Sequence, residues 1–154
     1  MAEREELPDE VFAAISKLRD QGNTSLQSGD FTSAYAYYYD AWKQLPEPAN
    51  KWGAGLWLIS AMGDAKFHLK EFSQSRELFQ QAIDYYRGEG NPVVHMRAVQ
   101  CALELADEEG AAQQLARAFS IAGKVIFSNE DVKYYEFLRE RVAPPVIDGV
   151  AQWP

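Results

Sequence analysis

Residues 21–42 read QGNTSLQSGDFTSAYAYYYDAW, and this stretch decides the fold. Apolar and small residues recur at helical spacing on either side of Ser28-Gly29-Asp30, so it reads as two helices joined by a tight turn. Gly29 supplies the left-handed conformation that ends a helix, and Asp30 supplies the N-cap that starts the next. The second helix carries Ala34, Tyr38 and Ala41, with Pro46 after its end.

Working outward, the same order returns 41 residues later, as Met62-Gly63-Asp64, Lys70-Glu71-Phe72, Ser75, Phe79 and Ala82. A third and weaker copy, displaced by a further 36, holds Leu103, Ala106-Asp107, Ala111, Leu115 and Ala118. Copy two has Lys70 and Glu71 at the turn, which is less ideal; copy three has Ala106 and Asp107, which keeps the cap but loses the glycine. Pro46-Glu47-Pro48 stops the second helix, because proline disfavours α backbone in the residue before it. Gly88-Glu89-Gly90-Asn91-Pro92 stops the fourth and opens the fifth, with Pro92 at its first position. Gly123 ends the sixth. The predicted helices are about 8–28, 31–45, 48–69, 72–87, 92–105, 108–123 and 130–142. Asn129 is the expected cap of the last, with Glu130 and Asp131 on the positive end of its dipole and Arg139 and Arg141 on the negative end.

Small residues seven apart (Ala34 and Ala41, Ser75 and Ala82, Ala111 and Ala118) form one stripe on each second helix and allow a neighbouring helix close approach. Tyr38, Phe79 and Leu115 lie between them and fill the gap. Gly22 and Gly63 interrupt helix interiors at about 0.8–1 kcal/mol each, which points to close helix contact.

These residues resemble the tetratricopeptide repeat family, whose unit is a helix–turn–helix of ~34 residues. The copies fall at about 15–48, 56–89 and 92–125. Copy one matches through Gly22, Asn23, Gly29, Asp30, Phe31, Ala34, Tyr38, Ala41 and Pro46. Copy two matches through Gly63, Phe72, Phe79 and Ala82. Copy three is degenerate, with Val99 and Glu108 at family glycine and aromatic positions. The long spacing between copies one and two implies an extended connection or an elongated helix over Pro48 to Leu69. The expected architecture is all-α: three repeats in a short right-handed solenoid over residues 1–143, a seventh helix capping the end through Tyr134, Phe137 and Leu138, and a non-helical tail over 144–154.

In the family, the first helix of each repeat lines a concave groove that receives a peptide or partner helix. By register, copy one presents Arg19, Asn23, Leu26 and Gln27; copy two Trp57, Ala61, Asp64, Phe67 and His68; copy three Val93, Met96, Arg97, Gln100 and Leu103. Some relatives clamp the C-terminal carboxylate of heat-shock chaperones. Arg19, Asn23 and Arg97 match that clamp in kind, whereas Ala61 and Val93 replace two of its donors. Arg19 and Arg97 pairing with Asp20 and Glu104 is the plainer alternative. Trp57, Phe67 and Met96 form either an apolar strip for an anchor side chain or the core between repeats. Among Tyr37, Tyr38 and Tyr39, adjacent on one helix, some are necessarily exposed.

The remaining chemistry is sparse. The chain has 154 residues, a formal charge of −8 and one cysteine. The charge argues against a phosphate-backbone ligand, and no apolar run reaches the ~18 residues of a membrane span. The acidic start, MAEREELPDE, is not a signal sequence. A single cysteine argues for a reducing compartment, here the cytoplasm. His95 and Cys101, six apart, do not share a helix face for one metal. The expectation is a non-catalytic module, an adaptor or co-chaperone in kind, without cofactor or metal, that binds a protein or peptide in the concave groove, with a basic partner favoured by charge. A toxin-neutralising immunity protein and a self-associating homodimer are the alternatives.

Overall fold

The structure is a computed structural model, and it describes residues 7–123, 132–141 and 146–151. Among these residues are seven α-helices: α1 (Asp9–Gln27), α2 (Phe31–Lys43), α3 (Gly53–His68), α4 (Phe72–Tyr85), α5 (Pro92–Glu104), α6 (Glu108–Ala122) and α7 (Val132–Arg141). Single 3-10 turns lie at Ala49–Lys51 and Gly88–Gly90, and a short antiparallel ribbon pairs β1 (Val146–Ile147) with β2 (Val150–Ala151). The chain divides into two compact units, Met1–Glu89 and Gly90–Pro154.

In the first unit, α1 packs on α2, α2 on α3 and α3 on α4. In the second, α5 packs on α6 and α6 on α7. Every hairpin turn uses one device. Gly29, Lys70 and Ala106 all adopt the left-handed conformation, with φ of 82°, 61° and 59°. Around each, two amides reach back to the carbonyls left over at the helix end. Gly29 N–H donates to Leu26 and Asp30 N–H to Ser25; Lys70 to Phe67 and Glu71 to Lys66; Ala106 to Leu103 and Asp107 to Ala102, all at 2.8–3.2 Å. This is the crossed pair of hydrogen bonds that closes a helix on a left-handed residue. The caps differ as their side chains predict. Asp30 accepts from Ser33 N–H and Asp107 from Gly110 N–H, while Glu71 makes no such bond. Asn91 caps α5, with Pro92 at its start, and Gly123 (φ 66°) follows the end of α6.

The small-residue stripes lie at the helix contacts. Ala34, Ala41, Ser75, Ala82, Ala111 and Ala118 are fully buried, as are Tyr38, Phe79 and Leu115 between them. Ser75 adds a hydrogen bond, its hydroxyl donating to the Gly63 carbonyl at 2.8 Å across the α3–α4 contact. In the second unit, Tyr134 and Leu138 of α7 share a core with Ala111, Leu115 and Ala118 of α6, and Phe137 packs against its edge. An Arg141–Glu108 ion pair of 2.9 Å joins the same two helices.

The third helix is shorter than expected. It begins at Gly53, not Pro48, so the extra length between repeats is an extended connection. Trp52 holds that connection by donating its indole N–H to the Pro46 carbonyl at 2.8 Å. Gly55 lets the connection pass close, since a β-carbon there would lie 2.6 Å from the Ala49 carbonyl oxygen. The expected cap Asn129, with Glu130 and Asp131, and the tail side chains Val146, Ile147 and Trp153 lie outside the described residues.

Candidate functional site

Tyr38 organises the site of the first unit. The small-residue stripe of α2 draws α1 and α3 in on either side of its buried ring. Its hydroxyl donates to Asn23 Oδ1 of α1 at 2.7 Å. Its ring meets Trp57 of α3 edge to face, with centroids 5.7 Å apart at 82°. Burial raises the Tyr38 pKa, and the negative charge of Asp64 raises it further. Asp64 lies two helical turns after Trp57, so both project from one side of α3, with Ala61 between them.

Trp57 itself is 43% exposed. The guanidinium carbon of Arg19, one turn before Asn23 on α1, stands 6.0 Å from the Trp57 ring centroid. Arg19 also donates to Asp20 Oδ1 from Nε at 3.3 Å and from Nη2 at 3.2 Å. The structure therefore brings four of the expected residues, Arg19, Asn23, Trp57 and Asp64, around one aromatic floor. Tyr38 completes the group. Its size and spacing identify it as a core filler, but the contacts of its hydroxyl have no signature in the sequence.

Phe67 and His68 lie at the far end of α3 and are engaged there. Phe67 meets Phe72 at 5.3 Å, edge to face, and His68 stacks on Phe31 at 4.7 Å. They bind the end of α3 to the first turns of α4 and α2. Met96 does not belong to an exposed strip. It is 3% exposed and packs with Val99, Ala102 and Leu115 in the second unit's core. The thioether is apolar and unbranched, which suits it to filling a core of small residues. Gln100 is also buried and accepts from Arg97 Nη1 at 2.8 Å. Of the third-repeat residues expected in a groove, Met96 and Gln100 are thus interior.

Two further chemically reactive side chains, Cys101 and His95, are packed away, while His68 is exposed. Cys101 is buried. His95 is buried, with Nδ1 2.8 Å from Gln114 Oε1. Among the described residues, no three His, Cys, Asp or Glu side chains gather where they could hold a metal. No described helix is long and apolar enough to cross a membrane.

A second aromatic feature went unread in the sequence. Tyr35, Tyr39 and Trp42 of α2 stack in a column, with centroids 6.1 and 6.0 Å apart. Lys66 lies over Tyr35 and Lys43 over Tyr39. Trp42 donates to the Tyr86 hydroxyl at 2.9 Å. The spacing of four and three residues was the available signal.

Paired helices, closed by one repeated turn and packed through one repeated stripe, define a helical-hairpin repeat protein. The fold is that of the tetratricopeptide repeat. The chain is similar to the tetratricopeptide domain of OM64 from Arabidopsis, with a TM-score of 0.68 at 18% identity, covering 86% of this chain and 99% of that one. It is similar to the first tetratricopeptide domain of Spaghetti (RPAP3), solved bound to the HSP90 peptide SRMEEVD, with a TM-score of 0.63 at 18% identity over 83% and 92%. PcrH from Pseudomonas aeruginosa gives 0.63 at 16% identity over 91% and 98%. No protein-family profile and no curated protein sequence matches the chain.

Proposed function

We propose that this protein is a non-catalytic interaction module that binds a peptide or a segment of a partner protein on the face formed by Arg19, Asn23, Trp57 and Asp64. The observation that carries the reading is Trp57. A large aromatic with 43% of its surface exposed, fixed in orientation by a buried ring beneath it, has the properties of an interface anchor. Such residues supply much of the binding energy because little conformational entropy remains to be lost. Arg19 and Asn23 bring donors to the rim of the same face.

A chaperone-tail clamp of the kind implied by Spaghetti is the weaker version of this reading. By repeat register in the sequence, Ala61 and Val93 replace two of the clamp's donors, and each charge-assisted hydrogen bond is worth roughly 1.5–3 kcal/mol. The single cysteine, buried as Cys101, supports a reducing compartment such as the cytoplasm.

The test is selection from a displayed library of random peptides, followed by affinity measurement on the wild type and on Trp57→Ala. The reading expects selected peptides to lose tenfold or more on the variant. Selected peptides that bind both proteins equally, or a selection that enriches none, would overturn it.

A further inference from the structure

We infer that a second binding surface lies where the aromatic column of α2 runs into the connection before α3, and that it takes a proline-rich segment carrying a cationic residue. It does not depend on the Trp57 reading. Lys66, which covers the column at Tyr35, lies nine residues after Trp57 on α3 and so projects from the opposite side of that helix.

The open part of the column is its later half. Lys66, paired with Glu71 at 2.6 Å, shields the Tyr35 end. Tyr39 is 38% exposed, and Trp42 beyond it is half-buried. Trp42 is stacked on Tyr39 and donates to the Tyr86 hydroxyl, so its ring is fixed. It also lines an open cleft of about 670 Å³, together with Lys43, Leu45, Glu47, Pro48 and Ala49. That volume is within the ~300–1,000 Å³ of sites that hold small ligands or single anchor groups.

Shape favours a polyproline II helix. Such a segment presents rigid apolar rings, makes no internal hydrogen bonds and loses little entropy on docking against aromatic side chains. It rises about 3.1 Å per residue, so two residues span the 6.0 Å between the Tyr39 and Trp42 rings, and the next reach the cleft. An α-helix, about 10–12 Å across, needs a broader apolar strip than one file of rings.

Charge supplies the second requirement. Lys43 is engaged by Asp40 at 3.2 Å and by the Tyr39 ring at 4.8 Å. Glu47 is exposed, lines the cleft beside Trp42, and forms no ion pair among the described residues. The uncommitted charge of the cleft is therefore negative, and its complement is a cation next to the prolines.

The experiment follows the tryptophan indole N–H signals of the full chain in nitrogen-15 NMR, with Trp42 assigned through Trp42→Phe. The probe is an acetylated, amidated decapeptide of proline with one central arginine. One control carries glutamate in place of the arginine, and another carries alanine in place of every proline. The arginine–proline peptide is expected to shift the Trp42 signal saturably and leave the Trp57 signal in place, and both controls should bind more weakly. Tyr39→Ala should weaken it about fivefold or more, and Glu47→Gln about 2- to 5-fold. Glu47→Lys should strengthen the glutamate peptide, a gain that a misfolded variant does not produce. No Trp42 shift at millimolar peptide, equal binding of the alanine peptide, or a charge preference unchanged by Glu47→Lys would each overturn the inference. A shift of Trp57 with Trp42 unmoved would overturn it while leaving the interaction module standing. A dimer in light scattering that dissociates on Tyr39→Ala would overturn it in favour of a second copy as occupant.

Discussion

Gly22 lies so close to Tyr38 that a β-carbon on it would stand 2.5 Å from Cε1 of the ring. The second repeat repeats the relationship, with a β-carbon on Gly63 falling 2.8 Å from Phe79. The Tyr38 ring cannot retreat, because it is buried, bonded to Asn23 and packed on Trp57. Gly22→Ala gains about 1 kcal/mol of helix propensity but overpacks at a cost of about 1–3 kcal/mol. The expected result is a net loss of stability in urea and an altered near-ultraviolet signal from the Tyr38–Trp57 pair. Gly53→Ala is the control, with nothing within 4 Å of the added carbon, and should be neutral or slightly stabilising.

The three hairpin turns share one backbone but only one has glycine at the left-handed position. Lys70 and Ala106 hold φ near 60°, where a side chain costs roughly 1–2 kcal/mol. Lys70→Gly and Ala106→Gly should each raise stability by about 0.5–1 kcal/mol, after the added flexibility of the unfolded chain is subtracted. Gly29→Ala should lower it. Denaturant midpoints measure all three, and a loss on Ala106→Gly would contradict the turn assignment.

Asp30 gives stability a defined pH dependence. The hydroxyl and amide of Ser33 hold its carboxyl below the ordinary 3.8. A carboxyl with a lowered folded pKa contributes stability that is present above its unfolded value and lost as pH falls through the folded one. Asp30→Ser keeps a cap without the charge. The stability difference between wild type and Asp30→Ser should be constant above about pH 5 and change, to the cost of the wild type, below pH 4. A difference that stays flat down to pH 2 would contradict the bond.

Leu138 tests the seventh helix. It is fully buried against Leu115 and Ala118. Leu138→Ala should cost about 2–5 kcal/mol, and truncation after Gly123 should lower solubility or melting temperature by exposing the α6 stripe. An unchanged melting temperature in both would end the capping role.

The hairpins were legible because their determinants are local. Gly29-Asp30 and Asp107 specify turns within a few residues of themselves, and Ala34 and Ala41 mark a contact face by spacing alone. The start of α3 was not legible at Pro48, because the connection before it is held by side-chain contacts that leave no periodic pattern: the Trp52 indole on the Pro46 carbonyl and the distant Tyr86 ring against Gly55. Nor was Met96 separable from the surface. Val93, Val94, Met96, Ala98, Val99, Cys101 and Ala102 leave α5 with apolar residues on several sides, so register does not say which one faces out. Arg19, Asn23, Trp57 and Asp64 were placed through the repeat register, and that register carries no trace of how Tyr38 joins their helices, its hydroxyl bonding Asn23 on α1 and its ring meeting Trp57 on α3.

The most direct measurement is the affinity of one library-selected peptide for wild type and for Trp57→Phe. The substitution keeps an aromatic ring over Tyr38 but removes the indole. The account predicts a near-wild-type melting temperature with affinity reduced severalfold. Unchanged affinity in a variant that folds normally would contradict the claim that this protein meets its partner at Trp57.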